Sequence, residues 1–303
     1  MVSQKRRNKF VLSDDTLFDS LVLFLSFVVL AIVAYPLLYV VSASFSDPMM
    51  VTTGQLTLLP RDFTLQAYET ILGYTPIWIG YRNSIFYTSV GTLINLFVTL
   101  PCAYALSRKD LLGRKSITLV FAFTMFFSGG IIPLYLVVRG LGLLNTVWAL
   151  MLPVAASMWN ILIARTYYQA SIPDSLRDSA QMDGCSNTRL FMEIIMPLSK
   201  PIIAVMTIFY AVNHWNRFFH ALLFITSDNL QPLQIFLRNV LVVEELDMIG
   251  ADTEMIAEIL ERRQLRETMK YGIIVVASVP VLVLYPFLQK YFVTGVMIGS
   301  IKG

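Results

Sequence analysis

The sequence predicts an all-α, polytopic membrane protein with six transmembrane helices. Three observations carry that prediction. Of the 303 residues, 56% are apolar and only 14% are charged, against roughly 45–50% and about 25% in ordinary soluble domains. The charges are clustered, leaving five intervals free of Asp, Glu, Lys and Arg: Asp19 to Asp47, Arg82 to Arg108, Lys115 to Arg139, Arg139 to Arg165, and Lys270 to Lys290. The shortest holds 19 residues, and at about 1.5 Å rise per residue about 20 apolar residues cross a hydrocarbon layer about 30 Å thick. A sixth run, Pro201 to Asn216, meets Arg217 and resumes from Phe218 to Ile225.

The elements follow in order. The first span, about 17–43, follows Lys5, Arg6, Arg7 and Lys9 and precedes the small residues Ser42-Ala43-Ser44. Its apolar stretch from Leu21 to Val41 exceeds the roughly 7–15 residues of a secretory signal, so it is expected to be retained. The second span covers about 82–107 and the third about 116–138, where Gly129-Gly130 and Pro133 mark a break near one end that fits either a hinge or a local helix end. The fourth, about 144–166, the fifth, about 201–225, and the sixth, about 269–291, complete one transmembrane domain over residues 1–303. None shows the period-2 alternation of a barrel strand.

Lys and Arg set the expected orientation. With a cytoplasmic N-terminus, 14 of the 23 basic residues fall inside, most clearly in the compact turn Arg108-Lys109 to Arg114-Lys115. Residues Thr226 to Lys270 carry nine acidic and five basic residues. Both termini are therefore expected in the cytoplasm. The net charge of +3 reflects this topology and gives no reason to expect a nucleic-acid partner. Cys102 and Cys185 fall on different segments and form no metal-ligand spacing, and His214 and His220 are the only histidines. With no phosphate loop, zinc-type His pair or paired carboxylates in a catalytic context, no catalytic residue, metal or cofactor is expected in this chain.

The informative segment is the loop from Ser171 to Pro201, SIPDSLRDSAQMDGCSNTRLFMEIIMPLSKP. Pro173 with Asp174 or Ser175 offers a helix start, and Leu176 and Ala180 follow at helical spacing, then Met182 or Asp183. Gly184 permits a sharp exit that a β-carbon would resist. Ser186 or Asn187 then caps a second helix with apolar Leu190, Phe191, Ile194 and Ile195 on one face. Pro197 and Pro201 bend or restart the chain where it enters the bilayer.

These residues resemble a known signature. Asp178-Ser179-Ala180, Gly184 after three residues, Ile194 after nine more, then Met196 and Pro197 look like the EAA loop of ATP-binding-cassette importer permeases. The spacing matches throughout, with Asp178, Ser179 and Met196 standing where the pattern has Glu, Ala and Leu. The resemblance covers nearly the whole chain. Leu59-Pro60-Arg61-Asp62-Phe63-Thr64, Asn83-Ser84, Ala103 to Arg108, Gly140 to Thr146, Asn213-His214-Trp215-Asn216 and the terminal Gly295 to Gly303 are similar to the carbohydrate branch, the second maltose-type permease. The closest likeness is to the group serving complex oligosaccharides with a lipoprotein receptor.

The resemblance implies a type I importer permease in a bacterial plasma membrane, paired with a homologous permease, resting on an ATPase dimer that binds ATP and Mg, and fed with a sugar by an external solute-binding protein. The helix around Leu176 to Ser186 is then the coupling helix. Asp178 and Asp183 would cap or pair with basic groups on the ATPase, and Leu176, Met182 and Leu190 would give apolar contact. The alternative for the loop is an amphipathic segment on the membrane surface.

Polar residues inside spans are functional candidates because lipid cannot satisfy them. Asn213, His214, Trp215 and Asn216, with Arg217 adjoining, form the densest group, and Asn213, Trp215, Asn216 and Arg217 suit a sugar by combining an aromatic face with amide and charged donors. The alternatives are interhelical hydrogen bonds, a Trp anchor and a snorkelling Arg. Asn95, Thr124, Ser128 and Trp159-Asn160 rank lower. The external segments 44–81 and 226–268, the latter with TEMIAEILERRQL, are expected either to receive the binding protein or to pack on the spans. Other readings are an importer of a peptide or amino acid, a membrane enzyme, or a channel. An enzyme should show ionisable clusters within the spans, and a channel has no use for the coupling loop.

Overall fold

The computed structural model describes residues 14–242, 266–283 and 286. The surface helix expected over TEMIAEILERRQL lies outside these residues, as does most of the end of the expected sixth span. Among the described residues every regular element is a helix.

The chain divides into two compact units, residues 1–71 with 260–275, and residues 72–259 with 276–303. In the first, α1 (Asp14–Ser44) contains a 27-residue apolar stretch, Phe18–Ser44, with none of its most apolar window buried in the chain. An apolar surface all round a helix suits lipid or another subunit rather than water. After it, Ser42 donates through Oγ to the Leu58 carbonyl at 2.5 Å and Ser44 Oγ meets the Tyr68 hydroxyl at 2.8 Å. Phe45 stacks on Phe63 with ring centres 5.7 Å apart. The short helices α2 (Pro48–Thr52) and α3 (Gln66–Gly73) occupy this segment. Gly272, in the helical stretch 266–283, lies against Ala67 and Ile71, where an added β-carbon would come within 2.9 Å of Ile71 Cδ1.

In the second unit α4 (Thr75–Ser107) is the central helix. Its 33 residues reach about 50 Å, starting a full two turns before the expected boundary at 82. One face carries Gly80, Asn83, Ser84, Tyr87, Gly91 and Asn95 at helical spacing. Gly80 lets the backbone at Leu233 approach, since a β-carbon there would lie 3.0 Å from Leu233 Cα. Asn83 donates to the carbonyls of Asn229 and Gln231 at 2.7 and 3.0 Å, Tyr87 donates to Leu230 O at 2.7 Å, and Ser84 Oγ accepts from Leu233 N at 2.9 Å. A polar stripe on an apolar helix thereby satisfies an irregular segment that lipid could not.

The third and fourth expected spans are broken. α5 (Arg114–Phe126) and α6 (Ile131–Gly140) meet at 114°. The break falls at Gly129-Gly130, with Gly130 at φ +81° and Pro133 beyond, a backbone that glycine alone adopts readily. α7 (Trp148–Met151) and one tight turn, Leu152–Val154, lead at 51° into α8 (Met158–Ser171), capped by Ser157. Between α6 and α7, Asn145, at φ +57°, accepts through its side chain from the backbone N–H groups of Thr226 and Ser227 at 3.1 and 2.9 Å and clips the two loops together.

The loop helices are α9 (Asp174–Met182), α10 (Asn187–Arg189) and α11 (Met196–Leu198). α12 (Lys200–Trp215) follows at 82° and stops before Asn216, and α13 (Phe219–Phe224) resumes after Arg217 and Phe218. The expected fifth span is therefore interrupted at its charge. α14 (Leu233–Val242) packs on α4. Among the described residues two helices, α1 and α4, are long and apolar enough to cross a membrane unbroken, and each of the three bent pairs supplies a further crossing only if counted as one.

Candidate functional site

Two sites emerge, at the 171–200 loop and along α12. In the loop, α9 ends as the spacing around Gly184 requires. Gly184 has φ +74°, its N–H donates to Gln181 O at 3.0 Å, and Cys185 N donates to Ala180 O at 2.9 Å. This pair of bonds satisfies the last carbonyls of a helix closed by a left-handed glycine. Ser186 Oγ then accepts from Arg189 N at 3.3 Å, capping the next helix. From Leu190 to Ile195 the turns widen to an i→i+5 pattern, with Met196 N reaching Phe191 O. Pro197 has no N–H for the Glu193 carbonyl and crowds it, which a widened turn relieves.

The loop has an inner and an outer face. Ala180, Leu190, Phe191 and Ile195 are buried against Tyr104, Ile161, Ala164 and Tyr168, and Leu176 and Ile194 pack at the edge of this cluster. Tyr104 touches Phe191 and Tyr168 at ring-centre distances of 5.2 and 5.6 Å, so the loop is keyed into α4 and α8. Leu190 is wholly buried, which corrects its expected contact with a partner: it fastens the loop to its own chain. Met182, 88% exposed, is the apolar side chain that α9 leaves on the outer face, with Asp178, Ser179, Asp183 and Gly184 exposed around it. Pro197 is also exposed, at the bend before α12.

A second fastening was not read from sequence. Arg108 forks onto Asp110, Nε to Oδ1 at 3.0 Å and Nη2 to Oδ2 at 2.5 Å, and its Nη1 donates to Asn187 Oδ1 at 2.7 Å. Arg177 bridges Asp110 at 3.0 Å and its neighbour Asp178 at 3.0 Å, and Lys109 meets Asp174 at 2.7 Å. The hydrogen bonds from Arg108 hold the Asp110 carboxyl down at about 2, and Lys109 lowers that of Asp174. Lone surface pairs contribute little, but this network joins the 108–110 turn to both halves of the loop. The basic cluster was visible in the sequence, and its pairing with the Asp-rich loop depended on the fold.

The second site is a cavity of about 870 Å³ lined by α4, the bend before α8, and α12. Asn213, Asn216 and Arg217 line it, joined by Asn95, Trp159 and Asn160. Trp215 does not. It is buried, donating from Nε1 to Ala277 O at 3.1 Å and meeting the Tyr81 ring edge-on at 5.7 Å. It is therefore a packing residue, turned away from the cavity that Asn213 and Asn216 line. Thr124, ranked with Asn95, donates to its own helix at Phe121 O.

Asn95 forms the cavity's inner brace. Its amide donates to the carbonyls of Val154 and Ala155 at 2.6 and 2.9 Å, and its Oδ1 accepts from His214 Nε2 at 2.6 Å. The two free carbonyls arise from the break between α7 and α8. Gly91 makes room for the imidazole, since a β-carbon there would lie 2.5–2.9 Å from three ring atoms. Arg217 donates to Asn213 Oδ1 and, at 3.1 Å, to His220 Nδ1. Among the described residues no group of three or more His, Cys, Asp or Glu is placed to hold a metal ion.

Comparison with known proteins decides the family. Residues 73–240 match the binding-protein-dependent transport system inner membrane component family. The chain belongs to this family of permeases. The permease is 40% identical over 289 residues to the polygalacturonan/rhamnogalacturonan transport system permease protein of Bacillus subtilis, covering 95% of this chain and 99% of that protein. It is 42% identical over 274 residues to protein LplC of the same organism, 90% of each chain being covered. Among solved structures it matches, with TM-score 0.83 and 33% identity over 94% of this chain and 99% of the other, a bacterial ABC transporter involved in the import of the acidic polysaccharide alginate. The permease is thus a transport subunit rather than an enzyme, and its fold is that of an ABC importer permease.

Proposed function

We propose that this permease imports an oligosaccharide, received from an external solute-binding protein and moved through the α12 cavity by alternating access driven by a separate ATPase dimer. The observation that carries the reading is the construction of the 171–200 loop. Its outer face around Met182, Asp178, Ser179 and Asp183 is free, while its inner face is locked by Leu190, Phe191 and Ile195 to α4 and α8. A push on the outer face would move those helices as one body, which is the way small displacements become two-state transitions in packed structures. Through the bend at Ser199, α12 carries the same motion to Asn213, Asn216 and Arg217. The sugar assignment is supported by the polygalacturonan/rhamnogalacturonan and alginate systems of its relatives and by a cavity lined by amides and an exposed Trp159 ring.

The remaining parts belong to the same proposal. Six spans place both termini in the cytoplasm with the loop, α1 faces lipid or a homologous second permease, and ATP and Mg bind to the ATPase rather than to this chain. The binding protein, a lipoprotein in this reading, meets the segments 44–81 and 226–268. Copurification of the tagged chain with its neighbours, followed by ATP-dependent uptake in proteoliposomes, tests the scheme. A functional assembly without an ATPase would overturn it.

A further inference from the structure

We propose that Arg217 receives the carboxylate of an acidic sugar, so that the transported oligosaccharide contains uronate residues; this deepens, and rests on, the oligosaccharide-importer reading. Both hydrogen-bond partners of the guanidinium are neutral acceptors, Asn213 Oδ1 and His220 Nδ1. Among the described residues no carboxylate lies within ion-pair distance of it. Among the described residues its cavity wall contains no Asp or Glu, and the polar side chains nearest the argument are Trp159, Asn160, Asn213 and Asn216.

A guanidinium has five N–H donors in a planar fork, and two hydrogen bonds leave the others free. In a partly desolvated wall an uncompensated charge is costly unless it is paired. A carboxylate matches the fork with two parallel charge-assisted bonds, which a hydroxyl does not. The surroundings suit a sugar carrying that carboxylate. Trp159, 63% exposed, offers a ring to an apolar sugar face, and the Asn160 and Asn216 amides offer both donors and acceptors to hydroxyls. The helix break at Asn216–Phe218 sets the Arg217 side chain on the wall rather than along a helix ridge.

The test uses the complete purified complex in proteoliposomes, with radiolabelled trigalacturonate and its carboxyl-reduced counterpart galactotriose as probes. The intact complex is expected to take up trigalacturonate in preference to galactotriose. In R217Q, kcat/KM for trigalacturonate is expected to fall roughly 10- to 100-fold, the loss set by removing a charge-assisted hydrogen bond, with galactotriose uptake changed less than about 2-fold. R217K, which keeps the charge, retains the preference for the acidic trimer. Equal losses for both probes in R217Q show that Arg217 serves assembly or pairs with another subunit, and overturn the proposal, as does wild-type preference for galactotriose. If the assembled wild-type complex hydrolyses ATP but imports neither probe, the oligosaccharide reading itself is refuted.

Discussion

Replacing Gly184 tests the loop mechanism most directly. At φ +74° this residue sits where an L side chain is strained, yet a β-carbon there would find no atom within 4 Å. The cost of substitution is therefore backbone strain without a clash. For Gly184→Ala it is about 1–2 kcal/mol, enough to reduce occupancy of the native corner about 5- to 30-fold relative to competing conformations. Gly184→Val adds a β-branched side chain that tolerates this region less well still. What would be lost is the pair of bonds from Gly184 N to Gln181 O and Cys185 N to Ala180 O, and with it the fixed angle between α9 and α10. The core residues Leu190 and Ile195 lie beyond the corner, so insertion into the membrane should be unaffected. Gly184→Asn should remain close to wild type because Asn tolerates the left-handed conformation. The assay is sugar taken up per ATP hydrolysed in proteoliposomes, with ATPase retention on purification measured alongside. The expected order is Gly, then Asn, Ala and Val. Full coupling in G184V, or a loss in G184N as severe as in G184V, would refute the argument that the backbone corner is what transmits the motion.

Other outcomes follow from single contacts. Gly91→Ala places a carbon 2.5–2.9 Å from the His214 ring and should lower stability by about 1–3 kcal/mol; adding His214→Ala should restore part of it, a coupling readable as a non-additive shift in Tm. Trp215→Phe keeps the ring against Tyr81 but loses the bond to Ala277 O, so it should cost about 1 kcal/mol without raising the KM for sugar, whereas Asn216→Ala should raise KM with little change in Tm. The Asp110 carboxyl is held at about 2, chiefly by Arg108, below its ordinary value of about 4. Its depressed value means that the contribution of the clasp is fully present above about pH 4 and is lost as pH falls toward about 2. Amide-exchange protection of α9, corrected for intrinsic rates, should follow that profile, and D110N should show the reduced protection already at pH 7.

What the sequence by itself determined was chemical: where charge is absent, where glycine and proline interrupt, and which spacing the 171–200 loop carries. Charge-free runs pointed to apolar helices, of which α1 and α4 are long and apolar enough to cross a membrane, because burying an ion in hydrocarbon is costly whatever the fold. Gly184 and the Ser186 cap were legible for a similar reason, since a helix end is satisfied by residues within a few positions of it. The breaks in the third and fifth spans left local signs, Gly129-Gly130 and Arg217, but the 114° bend between α5 and α6 and the 82° bend at Ser199, where the loop enters α12, depend on neighbours. Tertiary structure decided the rest. Leu190 and Met182 are both apolar and lie in one loop, yet one is sealed under Tyr104 and the other is exposed, because only the packing of α4 and α8 defines an inside. Trp215 and Asn216 are adjacent, but α12 ends between them, and one side chain meets the 276–283 helical segment while the other lines the cavity. Asn95 and His214 are 119 positions apart, and no local pattern announces that one brace joins them to the carbonyls of a broken helix. Spacing along a chain records what each segment needs; which distant group meets the need is fixed only when the helices pack.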